Sequence, residues 1–145
     1  PQILLVGTSA GYAIIVEGKS ENSEGLDSHN KTGKRIYQTL LERGFADQNI
    51  FYFSYYYDYD VPSDPDNLKK SDANEDGTPD RFQLGVGMDG LPDKATIQDV
   101  LTNQLSALVA FNPAPIYTIM VDHGASDHDE DHLRPSKPTI VQAAE

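Results

Sequence analysis

The chain has 145 residues, enough for one domain with a sizeable core or for most of one, and its 38% hydrophobic content with 8 Tyr and 5 Phe is that of a globular protein. A formal net charge of −12 argues against nucleic acid and anionic membrane surfaces as partners; it fits divalent cations or basic substrates, beside the plain reading of an acidic surface kept for solubility. There is no cysteine, which excludes a disulfide, a thiolate metal site and a cysteine nucleophile within these residues, and no apolar run reaches the length of a membrane span.

The chain opens on Pro1 beside an apolar run, with no basic-then-apolar leader, as expected of a mature product or an excised fragment. Residues 3–7 (ILLVG) and 12–16 (YAIIV) are apolar runs split by TSAG. They predict a hairpin, or an incoming strand followed by the first strand of a domain. The expected division is an incoming strand or hairpin over 1–11 and one domain over 12–145.

Residues 17–25 are polar and carry glycine, which suits a loop at a strand end. A helix should follow, capped by Asp27 or Ser28, with Ile36, Tyr37, Leu40 and Leu41 as its apolar stripe and Gly44 as its C-terminal cap. His29 falls at the start of this helix, on the side where strand ends open. Phe45 leads into a second strand at about 50–56.

Residues 58–93 show neither a helical nor a strand period and are rich in Asp, Pro and Gly. A connection this long is functional or an insertion. Within it, DANEDGTPD places oxygen-bearing Asp72, Asn74, Asp76, Thr78 and Asp80 at positions 1, 3, 5, 7 and 9 of a loop, with Gly77 at position 6. That is the spacing of a calcium loop, in which alternate residues of a tight turn aim oxygens at one hard cation, Thr78 through its backbone carbonyl. Position 12 is Gln83 rather than a bidentate glutamate, and no helix pair flanks the loop. The expected site is therefore of the weak extracellular kind rather than a calmodulin-type sensor. The alternative is an acidic turn that binds nothing specific. Asp58, Asp60, Asp64 and Asp66 lie upstream as further oxygen donors without diagnostic spacing.

Thr96 can cap a second helix with Asp99 in the capping-box position, and Ile97, Val100, Leu101, Leu105 and Leu108 form its stripe. Asn112-Pro113-Ala114-Pro115 ends it. Residues 116–124 then read IYTIMVDHG, the pattern of a central strand buried on both faces that leaves through Asp-His-Gly. The carboxyl ends of such strands face the ligand crevice. There His123 can act as general acid or base, and Gly124 can present its N–H to a reacting carbonyl. The order strand, helix, strand, helix, strand predicts an α/β fold with a parallel sheet and right-handed crossovers. Residues 125–145 are polar and proline-bearing. His128 and His132 stand four apart in HDEDH, but no glutamate completes a metalloprotease motif, and a solvated acidic loop is the better reading.

Taken together, residues 13–127 resemble a legumain-type cysteine peptidase of the caspase-like superfamily. AIIVEG is similar to that family's first strand and its glycine-bearing exit. HNKTGKRIYQTLLERGF resembles its first helix, TIMVDHG resembles its histidine-bearing strand end, and DANEDGTPD resembles a calcium-type insertion found in bacterial members. The resemblance implies a three-layer α/β/α sandwich, caspase or haemoglobinase-like and incomplete in this chain, with the calcium-type insertion at 58–93. It implies an endopeptidase acting on peptide or protein substrates through a Cys–His dyad. His123 would be the catalytic histidine, Gly124 an oxyanion-hole donor, and His29 would lie on the substrate side. A calcium ion would be the cofactor, and an extracellular or periplasmic location would follow.

Two departures stand out. The family's cysteine lies at the end of a further strand, and this chain has no cysteine, so a second chain or a further C-terminal segment would have to supply it. The arginine that legumains place before the helix-start histidine is Ser28 here, so specificity for asparagine does not carry over. The rival reading is a calcium-stabilised, non-catalytic extracellular binding module that kept the fold. A generic nucleotide-binding α/β domain is disfavoured, because residues 17–25 contain neither GxGxxG nor a P-loop ending.

Overall fold

Short runs of β-branched and aromatic residues separated by amphipathic segments require parallel strands joined by helical crossovers. The computed structural model describes residues 10–18, 26–58, 69–83 and 87–122. Within them, β1 (Tyr12–Glu17) leads to α1 (Leu26–Glu42), then β2 (Ile50–Phe53), β3 (Met88–Gly90), α2 and β4 (Ile116–Val121). The helix α2 starts over Lys94–Asp99, widens into a π-helix at Val100–Leu105 and closes over Ser106–Phe111. The four strands form one sheet in the order β3-β2-β1-β4, and every pairing is parallel. The mixed α/β fold expected from the chain order is therefore present. The N-terminal run at residues 3–7 lies outside the described residues, as does everything after Asp122.

Strand side chains alternate between faces, and two buried clusters follow that alternation. Ala13 and Ile15 of β1 join Ile50 and Tyr52 of β2 and Tyr37 of α1 in one cluster. Tyr12 and Ile14 join Phe51, Phe53 and the α2 residues Val100 and Leu105 in the other. Val100 and Leu105 are five residues apart, a spacing that the π-turn brings onto one side of the helix. The Tyr12 hydroxyl donates to the carbonyls of Leu108 and Asn112, which fixes the end of α2 above β1.

The end of α1 is a Schellman motif. Phe45 N–H donates to the Leu40 carbonyl at 3.1 Å and Gly44 N–H to the Leu41 carbonyl at 3.0 Å, with Gly44 at φ +87°. Phe45 and Leu40 both pack against the Tyr37 cluster, the apolar contact that accompanies such a cap.

Four expectations need correction. The region 58–93, read as strandless, contains β3, whose three residues are too few to show a period. β2 stops at Phe53, because Ser54 begins a turn closed by Tyr57 N–H on the Ser54 carbonyl. The cap of α2 is Asp93, not Thr96: its carboxylate accepts from the N–H groups of Ala95 and Thr96, and Thr96 instead donates its hydroxyl to Asp93. Asp99 accepts from Asn103 one turn on and takes no part in a capping box. Finally, β4 is an edge strand among the described residues, with Ile116 47%, Tyr117 48% and Met120 75% exposed. Its apolar composition suits burial on both faces, but α1 and α2 pack mainly over β1 and β2.

Candidate functional site

Chain order along the sheet reverses between β1 and β4. From β1 the chain steps outward through β2 to β3, then returns to the far side of β1 for β4. Carboxyl ends at such a reversal form the ligand crevice of open α/β sheets, because the loops leaving the two strands diverge. Here those ends are Glu17-Gly18 and Val121-Asp122. Gly18 N–H donates to the Val121 carbonyl at 2.8 Å. The Asp122 side chain occupies the space that a Cβ on Gly18 would need, so glycine is what lets the two exits close on each other. His29, in the first turn of α1, donates from Nδ1 to the Gly18 carbonyl at 2.7 Å. A carbonyl only accepts, so Nδ1 is the donor of this bond. Thus His29 and Asp122 flank Gly18, and His123 and Gly124 follow Asp122 directly in the chain, outside the described residues.

Beneath this rim lies a buried polar network that sequence reasoning missed. Glu17 has no solvent exposure. It accepts from the Tyr52 hydroxyl and, at 2.7 Å, from the Ser54 hydroxyl. Asn30 donates from its amide towards Ser54 at 3.5 Å and to the Lys70 carbonyl at 3.1 Å. Burial raises the Glu17 pKa, and the donors from Tyr52, Ser54 and Asn30 pull it back only in part. Tyr52 is pushed well up by burial and by the Glu17 charge, so its hydroxyl stays protonated and donating. Tyr55, just past β2, is raised by burial and then by Asp122 and Glu17. An acid at the last position of an apolar strand was the available sequence signal. An exposed strand end explains that pattern equally well.

The Asp72–Asp80 loop folds back on itself. Glu75 at φ +61° and Gly77 at φ +89° supply two left-handed turns. The Asp72 carboxylate accepts from the N–H groups of Asp76 and Gly77, at 3.1 and 2.8 Å. Asn74 accepts from Asp76 N–H, and Asp76 accepts from Thr78 N–H at 2.8 Å and from the Gln83 amide at 2.7 Å. These donors, Gln83 first, hold the Asp76 pKa below its usual value. An ionised carboxylate has about four lone-pair sites, so these bonds orient the oxygens without exhausting them. Asp72, Asn74 and Asp76 are thereby the residues of this loop that could hold a hard cation.

Asp80 is placed differently. Its Oδ2 accepts from Ala73 and Met88 N–H at 2.8 and 2.9 Å, and its own N–H donates to Ser71. It therefore staples the loop entrance to β3. Its Oδ1 is buried with no hydrogen-bond partner, and burial pushes its pKa up to about 7. Among the described residues, no three His, Asp or Glu side chains alone converge on a metal position. Asn74 and the Thr78 carbonyl fall outside that set of residue types. Asp60, Asp64, Asp66, His128 and His132 lie outside the described residues.

Loop and crevice share one helix face. Asp27, Asn30, Lys34 and Gln38 recur along α1 at helical spacing. Lys70 pairs with Asp27 at 3.0 Å, Asn30 and Lys34 donate to the carbonyls of Lys70 and Lys69, and Gln38 donates to that of Ala73. Residues 69–73, leading into the acidic loop, are thus bound to the helix whose first turn carries His29. No family model, no curated protein and no solved structure matches this chain.

Proposed function

We propose that this chain is the histidine-bearing part of a caspase- or legumain-like cysteine endopeptidase, built as a three-layer α/β/α sandwich. The observation that carries the reading is the strand reversal between β1 and β4, which sets His29 and Asp122 on either side of Gly18, one residue before His123. The edge position of β4 among the described residues supports it, since a further parallel strand could pair there. In the proposed reaction His123 takes the proton of a cysteine thiol supplied by that strand, and the thiolate attacks the scissile carbonyl. Gly124 N–H faces the developing oxyanion, and His123 returns the proton to the leaving amine. His29 lines the substrate side. With Ser28 where legumains carry arginine, preference for asparagine is not expected.

Calcium is the proposed cofactor, held by Asp72, Asn74, Asp76, the Thr78 carbonyl and Asp80. It would contribute charge neutralisation and loop order rather than chemistry. A weak loop of this kind suits an extracellular or periplasmic setting, where calcium is abundant.

Peptidase assays on the protein from its native source, with fluorogenic peptides and a thiol-directed inhibitor, test the proposal. Thiol-sensitive turnover that falls roughly 10²–10⁴-fold in His123→Ala supports it. Turnover indifferent to that substitution overturns it. The absence of any cysteine from these residues favours a second reading, a calcium-stabilised binding module without catalysis. Such a module would bind calcium and show no turnover from any preparation.

A further inference from the structure

The charge of the described surface is unevenly placed. Of its eight Lys and Arg residues, Arg81 and Lys94 stand apart, and the other six line two adjoining hollows along α1. The first hollow, about 690 Å³, runs between α1 and residues 69–75 and is flanked by Lys31, Lys34 and Arg35 on one wall and Lys69 and Lys70 on the other. The second, about 680 Å³, continues along the helix past Arg35 to Arg43. Among the described residues Asp27 and Glu75 are the acids of the first hollow against five cations, a local excess of positive charge within a chain of net charge −12.

Two of these cations are already anchored. Lys70 is paired with Asp27 and sits 5.1 Å from the Tyr56 ring centroid, and Lys34 donates to the Lys69 carbonyl. Their charge is thereby held in the walls at little further entropic cost to a ligand. Lys31 and Arg35 are exposed at the junction of the two hollows.

We propose that this groove binds a short, extended acidic peptide segment. Lys31 and Arg35 are one helical turn apart, which separates their Cβ atoms by about 5–6 Å. Alternate side chains of an extended peptide recur at about 6.6 Å on one face, so carboxylates at every second residue meet the two cations in register. The cations are spread along α1 from Lys31 to Arg43, which suits a chain of separated charges better than a single phosphate. A long nucleic acid would run off the positive strip into the field of the remaining acidic surface. The proposal stands apart from the peptidase reading, because it concerns equilibrium binding along α1 rather than turnover.

The test is fluorescence polarisation at low ionic strength with a short labelled peptide carrying aspartate at alternate positions. Saturable binding is expected that weakens about ten-fold or more in Lys31→Gln/Arg35→Gln and falls as salt is raised. Binding should be unchanged in Arg81→Gln and lost when asparagine replaces aspartate in the peptide. Thermal melts of both variants establish that they fold. No binding by the parent protein, equal binding by the double variant, or stronger competition from a single-stranded oligonucleotide or from inorganic phosphate than from unlabelled peptide would each overturn the proposal.

Discussion

The imidazole of His29 and the carbonyl of Gly18 are joined by a 2.7 Å hydrogen bond that ties the first turn of α1 to the exit of β1. The ring is buried, while Gly18 itself is half-buried. His29→Ala should cost about 1 kcal/mol of stability, the net worth of a typical intramolecular hydrogen bond. His29→Asn keeps a short donor and should cost less. Urea denaturation of the two variants checks the ordering; equal losses would show that the bond contributes nothing.

Gly33 faces the Glu17–Tyr52 network from within α1. Alanine there would gain about 1 kcal/mol in helix propensity. Its Cβ, however, would lie 2.7 Å from Glu17 Oε1 and closer still to the Tyr52 hydroxyl, both fully buried. Overpacking of this kind costs about 1–3 kcal/mol, so the clash should outweigh the propensity gain. Gly33→Ala is expected to lower the melting temperature, and a rise would mean that α1 can shift freely off the sheet.

Asp89 offers a test of pH dependence. Its carboxylate accepts from Tyr52 N–H at 2.8 Å, and burial, aided by Asp47 and Asp80, pushes its pKa up to about 7. The folded protein then keeps a proton that the unfolded chain releases near 3.8. Stability is full below that value and falls as pH rises towards 7, by roughly 4 kcal/mol at most for this group. Asp80, also pushed up to about 7, acts in the same direction. Asp89→Asn preserves an acceptor for Tyr52 and removes the titration. Chemical denaturation from pH 4 to 8, with chelator present, should show a shallower decline in the variant. Parallel profiles would refute the assignment.

Calcium binding at the acidic loop should be weak, with a Kd of roughly 10⁻⁴–10⁻³ M, since Gln83 stands where a bidentate glutamate would. At ten times its Kd the ion would stabilise the fold by about 1.4 kcal/mol. Asp76→Ala removes a carboxylate that also accepts from Thr78 N–H and Gln83, and should abolish the calcium-dependent rise in melting temperature. Isothermal titration giving equal heats for the two proteins would dispose of the site.

Local pattern alone determined much of the fold. The apolar runs at β1, β2 and β4, the stripe of α1 and the glycine after it are short-range features, each decided by neighbours within a turn or two. They suffice for a parallel α/β sheet, because a strand–helix–strand order leaves few other arrangements. Tertiary structure alone decided the rest. Three residues at β3 carry no period, and only pairing with Tyr52 and Phe53 makes them a strand. β4 has the composition of a central strand, yet its exposure depends on where the helices pack. Asp80 occupies a cation-ligand position by spacing, but the N–H groups of Ala73 and Met88 capture one of its oxygens. Glu17, Asn30 and Ser54 are far apart in sequence and unremarkable singly. They form a site only because β1 and β2 end where α1 begins, and burial there turns ordinary polar residues into an interdependent network.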